Sequence, residues 1–313
     1  MVLAKITTAD MSRDEWLDAR RAGIGGSDAG TIMGFNPYKS AYQLFLEKTG
    51  QFYEKIENEA IHFGNKFENL VAEEFAERTG KKVRRMNKML VHPEHDFMLA
   101  NLDRVVVGER AVLECKTANE YLKGEWEGEE IPASYLCQVH HYLAVTGFEK
   151  AYIAVLVGGN TFIWKEIERD EEFIQILIDR EKDFWENHVL KDVAPPIDGS
   201  DATNELIKKM YPQDDGTAIM LTKDDDVLLD AIDSISVEIK ALEKQRQEYE
   251  NQLKLKLENA TEGHTPRHKV TFKTIVSNRV DSKRLKAEAP EIYEKYKKPS
   301  SSRRFNYKKL EAN

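Results

Sequence analysis

Apolar residues recur along this chain with two different periods, and the switches between them mark out its elements. Three-and-four spacing predicts a helix over Arg13–Arg21 with Ser12 as N-cap, and another around Ala41, Leu44, Phe45 and Lys48 after an Asn36-Pro37 turn. The same spacing predicts a long helix over Asn58–Thr79, with Ile61, Phe67, Leu70, Val71 and Phe75 on its apolar side and Gly80 as its stop. Tyr135–Thr146, ended by Gly147, and Glu171–His188 complete the helical set. Between them lie β-type runs. Lys82–His92 reads as an edge strand and Phe97–Thr117 as a hairpin turning at Gly108-Glu109-Arg110. Asn119–Ile131 is a polar loop, and Ala151–Val157 with Thr161–Ile167 forms a second strand pair. Helices before, between and after the strands give an α/β fold with a central mixed β-sheet flanked by helices.

Past Pro195–Ser200 the pattern changes. Residues 201–223 read as a linker, closing a first domain over residues 1–200. Residues 224–262 form a long helix whose Ile232, Ile235, Ile239, Leu242, Tyr249 and Leu253 make a coiled-coil-like stripe, with Arg246 in one core slot. Residues 263–313 alternate and then form a short helix over Pro290–Lys297, giving a small basic β/α segment.

Charge sharpens that division. The net charge of −9 hides +9 in residues 263–313 and −18 in the rest, which excludes a protein that coats nucleic acid generally. It suits one that meets DNA in a confined channel and through a local basic segment, here Lys269, Phe272, Lys273, Arg279, Arg303, Arg304, Phe305 and Tyr307. Cys115 and Cys137 are too few for a disulfide framework or a four-cysteine metal site, so both are expected buried and reduced. No apolar run is long enough to span a bilayer and the first residues lack a secretory core, which makes the cytoplasm the expected location.

Candidate chemistry centres on Asp103, Glu114 and Lys116, spaced D-x10-E-x-K along the hairpin. Glu114 and Lys116 lie two apart on a strand and share a face, while Cys115 points the other way. Carboxylates crowded at the end of a buried hairpin repel unless a hard cation neutralises them, which implies Mg²⁺ and, with the lysine, phosphodiester hydrolysis. Glu68 sits among apolar helix positions and is a candidate third carboxylate. Upstream, Gly23-Ile24-Gly25-Gly26-Ser27-Asp28 leads into a helix at Ala29–Met33, a turn suited either to a simple Asp cap or to an anion, with Arg20 and Arg21 beside it to meet a terminal phosphate. Gln138 and Tyr142 share a helix face. His140 and His141 have no further ligand at usable spacing and read as one inward and one solvated histidine.

Taken in order, RRAGIGGSDAG, GNKFE, LANLDR, LECK and QVHHY resemble the phage-type exonucleases, the YqaJ-like relatives of lambda exonuclease within the PD-(D/E)XK nucleases. The resemblance covers about residues 12–165 and reappears in the last fifty. It implies a PD-(D/E)XK core in which Asp103 and Glu114 bridge metal with the carbonyl of Cys115, and Glu68 serves a second ion, Mn²⁺ being able to replace Mg²⁺. Lys116 would position or activate the nucleophile, Gln138 and Tyr142 would brace the site, and Arg20 or Arg21 with Ser27 would hold a 5′-phosphate. It further implies a ring-shaped trimer that digests the 5′ strand of duplex ends, leaving a 3′ overhang for an annealing protein of RecT/Red-beta type. Two features depart from the pattern: no proline adjoins the aspartate, and the chain extends past the lambda enzyme's length. Another PD-(D/E)XK endonuclease, a RecB-like nuclease and a non-catalytic DNA-binding module are the competing readings.

Overall fold

The computed structural model describes residues 4–8, 11–52 and 58–308, and the chain divides into one unit ending at Tyr211 and another beginning at Pro212. The first unit opens with β1 (Ala4–Thr7), α1 (Arg13–Arg21), β2 (Ile24–Gly25), α2 (Gly26–Ile32), α3 (Ala41–Lys48) and α4 (Glu59–Thr79). It continues through β3 (Val83–Arg84), β4 (Lys88–Val91), β5 (Met98–Asn101), β6 (Arg104–Val106), β7 (Ala111–Ala118) and a 3₁₀ helix, Glu120–Trp126. It closes with α5 (Ala133–Thr146), β8 (Lys150–Val157), β9 (Thr161–Glu168), α6 (Glu171–Asp183) and α7 (Asp201–Met210). Local chemistry sets the helix ends. Ser12 and Glu15 form a reciprocal capping box on α1, Asn58 accepts the Ile61 N–H at 2.8 Å, and Gly80 and Gly147 end α4 and α5 at φ 71° and 66°.

The strands form two sheets. One has the order β1-β4-β5-β2 and the other β3-β6-β7-β8-β9, with β7 and β8 parallel and joined through α5. Alternation along β7 sorts the layers. Ala111, Leu113 and Cys115 pack with Val71, Ala72 and Phe75 of α4, whereas Val112 joins Val139 and Leu143 of α5 on the other face. Each such large apolar side chain contributes about 1.5–3 kcal/mol of burial, and the mixed α/β sheet between helices expected from the sequence is the result.

Several boundaries differ from the sequence reading. Lys82–His92 serves two sheets, β3 pairing with β6 while β4 pairs with β1 and β5. The Phe97–Thr117 run likewise splits: β6 and β7 are the hairpin, turning at Gly108 with φ 86°, but β5 belongs to the other sheet and the chain changes sheets at Leu102-Asp103. Period-two patterning specifies a face, not a partner. On α4, Ile61, Phe67 and Leu70 are exposed, because only its C-terminal half lies on the sheet. Helix α2 begins three residues early, so Ser27 and Asp28 lie within its first turn. The helix expected over Glu171–His188 is regular to Asp183 and then widens into a π turn, Phe184–Val189. The stretch 201–223 is helical through Met210, capped by Ser200, with Ala202 and Leu206 buried.

The second unit holds α8 (Lys223–Leu257), the hairpin β10 (Glu262–His264) and β11 (Lys269–Thr271), α9 (Ser282–Glu288) and α10 (Pro290–Tyr296). Helix α9 has no counterpart in the sequence reading. The α8 stripe from Ile232 to Leu253 is exposed, and Tyr307 donates to Asp233 at 2.8 Å. The final residues of the basic segment, 309–313, lie outside the described residues. Among the described residues no helix is long and apolar enough to cross a membrane.

Both histidines of α5 are buried, which corrects the expectation of one solvated ring. His140 bonds the Leu136 carbonyl at 3.0 Å and meets the Phe173 ring edge-on. His141 is held from both sides, by the Glu181 carboxylate on α6 at 2.9 Å and the Leu99 carbonyl on β5 at 2.9 Å. Two oxygen atoms facing the two ring nitrogens favour the doubly protonated ring. Burial by itself lowers its pKa, but Glu181 and Leu99 reverse that and raise it. Because the folded value lies above the ordinary value near 6.5, the stabilisation is complete below that pH and is lost as pH rises through the raised value. Glu181→Gln should therefore cost about 3–5 kcal/mol in urea unfolding below pH 6.5. The difference from wild type should shrink as pH rises; a difference independent of pH would refute the charged pair.

Candidate active site

The change of sheets at Leu102-Asp103 places Asp103 one residue outside the Arg104–Leu113 pair, beside Glu114 on the neighbouring strand. Its Oδ2 accepts the Cys115 N–H at 2.9 Å. Glu114 is buried under α5, and its Oε1 receives both Lys116 Nζ and Gln138 Nε2 at 2.6 Å. Its Oε2 is buried without a hydrogen-bond partner. Burial first and the Glu114 charge second push the Asp103 carboxyl well above its ordinary range, more than the Cys115 N–H and Lys116 offset. A buried and a half-buried carboxylate with one ammonium and one unpartnered oxygen have the donor chemistry of a hard-cation site. Mg²⁺ fits these residues.

Glu68 lines the same cleft, but its carboxylate is paired with the buried guanidinium of Arg104. Arg104 also donates to the Asp103 carbonyl at 2.6 Å and to Asn69 Oδ1 at 3.2 Å. Glu68 is thereby turned onto an arginine, and among the described residues no three His, Cys, Asp or Glu side chains gather into a metal cage. Arg104 was missed in the sequence, where its position amid a valine-rich strand next to an acid was the available signal.

The Lys116–Glu114 contact establishes the shared strand face, and Lys116 Nζ also bonds Gln138 Oε1 at 3.0 Å and lies 5.0 Å from the centre of the Tyr135 ring. Gln138 donates onward to the Tyr142 hydroxyl at 2.9 Å. Burial, then the charges of Glu114 and Asp103, hold that phenol protonated by raising its pKa. The Cys115 thiol packs into the α4-side core with its pKa raised by burial, which leaves its main chain to the cleft.

The glycine loop abuts this network from the other direction. A Cβ on Gly26 would lie 2.4 Å from the Tyr142 ring, so glycine is required for that approach. Arg20, in the last turn of α1, bonds Ser27 and stands 5.4 Å over the Trp16 ring. Arg21 pairs with Asp18 at 2.8 Å and does not line the cleft. The Gly25 N–H is taken by Asp28 Oδ2 at 3.0 Å, so that amide is not open to an anion. Asp28 does structural work instead. Burial favours its neutral form, but Lys48 at 2.8 Å and Arg20 hold it ionised, far below the usual carboxylate range. Lys48, itself buried, also bonds the carbonyls of Arg20 at 3.1 Å and Gly23 at 2.5 Å. In the sequence Asp28 reads only as a cap and Lys48 only as part of a helix register.

These groups surround one cleft of about 530 Å³. It brings together Arg20, Ser27, Glu68, Asp103, Glu114, Cys115, Lys116, Gln138 and Tyr142, leaving out only Arg21 among the expected residues, and adds Trp16, Asn65, Asn101 and Thr117.

Comparison with known proteins places this cleft in a family. Residues 15–149 match the YqaJ-like viral recombinase domain. The chain is 48% identical to the protein YqaJ of Bacillus subtilis (strain 168) over 313 residues, 99% of this chain and 98% of that one. It is 27% identical over 221 residues to protein R354 of Acanthamoeba polyphaga mimivirus, covering 66% of this chain and 36% of that protein. The crystal structure of LHK-Exo with dAMP, LHK-Exo being an alkaline exonuclease from Laribacter hongkongensis, superposes with a TM-score of 0.50. That likeness covers 63% of this chain and 97% of the other at 19% identity, and it concerns the fold. Near-full-length identity to YqaJ, together with the matched domain around the cleft, shows that this chain belongs to the YqaJ-like viral recombinase family.

Proposed function

We propose that this protein is a Mg²⁺-dependent exonuclease that digests the 5′ strand of double-stranded DNA ends and leaves 3′ overhangs for strand annealing. The observation that carries the reading is the unpartnered buried oxygen of Glu114 beside Asp103. Asp103, Glu114 and the Cys115 carbonyl are the groups to hold Mg²⁺ or Mn²⁺, and Glu68 would hold a second ion on exchanging its arginine. Bound there, the metal supplies a Lewis acid for a phosphate oxygen and lowers the pKa of a water.

The chain's own groups do the rest. Gln138 fixes Glu114 and is itself fixed by Tyr142, so the carboxylate keeps one orientation. Lys116, held by two acceptors, presents a positive charge to the reacting phosphate. Arg20 and Ser27 supply the donors for a terminal 5′-phosphate. Family membership supports DNA recombination as the setting, and the fold shared with LHK-Exo, an alkaline exonuclease, supports exonuclease action. The ring-shaped trimer, the RecT/Red-beta-type partner and a cytoplasmic location rest on the family resemblance.

Asp103→Asn and Glu114→Gln should each remove Mg²⁺-dependent cleavage of end-labelled duplex, and Asp103→Asn should melt no lower than wild type without metal because a like-charge repulsion is relieved. Wild-type turnover in either variant would refute the metal site. Lys116→Ala should lower kcat about a hundredfold with little change in KM; a change confined to KM would reduce the lysine to a phosphate binder. Linear duplexes with a 5′-phosphate should be digested faster than those with a 5′-hydroxyl. Arg20→Ala should erase that preference and Arg21→Ala should keep it. Equal rates on both ends for wild type, or nicking of closed circles, would favour an endonuclease.

A further inference from the structure

A second groove, of about 730 Å³, adjoins the cleft along the same helix. Ile61, Gly64, Asn65 and Glu68 of α4 line the cleft, and the following turns, from Asn69 to Glu77, line the groove. Arg104 belongs to the groove wall and bonds Glu68 in the cleft wall, so the two depressions share a partition. The opposite side of the groove is the segment Lys81-Lys82-Val83-Arg84-Arg85, at the outer edge of the five-stranded sheet.

The cations here are unequally committed. Lys81 is paired with Glu109 at 2.5 Å, and Arg104 with Glu68. Lys82, Arg84 and Arg85 are exposed, and among the described residues their side chains have no ion pair or hydrogen bond. Glu73 and Glu77 also line the groove, with Glu73 accepting from Asn69 at 2.5 Å. Basic residues on an edge strand deter strand pairing, but that role needs neither a concave wall nor continuity with a cleft. The groove flanks α4 from Asn69 to Glu77 for about 12 Å, over which one strand of B-form DNA presents about four phosphates.

We propose that this groove seats the sugar-phosphate backbone of the nucleic acid engaged in the cleft, with Lys82, Arg84 and Arg85 as its phosphate contacts. The inference rests on the nuclease reading above. It adds a sequence-independent hold on DNA outside the reacting site.

The test uses the full chain with Lys82→Gln, Arg84→Gln and Arg85→Gln combined, and a control combining Arg180→Gln, Lys182→Gln and Lys191→Gln. Fluorescence anisotropy of a labelled blunt duplex with 5′-phosphates is followed between about 50 and about 200 mM salt without divalent metal, and single-turnover cleavage is then started with Mg²⁺ at saturating protein. The groove variant should bind more weakly and lose about 2–3 from the slope of log K against log salt, as expected for three phosphate contacts. The control should keep the wild-type slope, and the saturated cleavage rate of the groove variant should match wild type. A groove variant with the wild-type slope, or equal losses in both variants, would overturn the proposal. Absence of cleavage by wild type would instead count against the nuclease reading, since the binding slopes are measured without turnover.

Discussion

Glu114, midway along β7, and Asp103, just before β6, lie side by side, and the first unit is arranged around the charge imbalance they create. One ammonium, Lys116, faces both acids. A hydrogen-bond chain from Tyr142 through Gln138 fixes Glu114 without neutralising it. Burial makes this repulsion strong, because charges lose the screening of water. The surrounding structure tolerates it by distributing compensation: Arg104 takes the half-buried Glu68, Lys48 takes Asp28, and His141 bonds Glu181.

The sequence disclosed more of this site than of the architecture beneath it. Strand alternation placed Glu114 and Lys116 on one face and Cys115 on the other, since a two-residue period survives any choice of neighbouring strand. Helical spacing placed Gln138 over Tyr142 for the same reason. What the pattern could not disclose was partnership. The runs Lys82–His92 and Phe97–Thr117 each looked continuous but serve two sheets, and the exposed Ile61, Phe67 and Leu70 looked like core because helical periodicity cannot say where the sheet below ends.

Buried ionic partners were the other blind spot. Arg104, Asp28 and Lys48 find their counterparts 36, 20 and 20 residues away along the chain, contacts for which local spacing has no signature. The sequence made one α5 histidine inward and one solvated, yet the depth of His140 and the two-sided hold on His141 depended on α6 and β5 folding over them. In the glycine loop the residue types were suggestive of an anion seat. Asp28 occupies the Gly25 amide and so removes one donor from that seat.

Asp103 stands where the chain leaves one sheet and enters the other. A side chain within a single sheet moves with its neighbours; one at a crossing is referenced to two bodies at once. The separation between Asp103 and Glu114 therefore registers the mutual angle of the two sheets, and packing at Leu90 or Met98, neither of which lines the cleft, becomes part of the site's alignment. Variation in the smaller sheet would in this way act as a coarse adjustment on the reactive centre while every residue lining the cleft stayed the same.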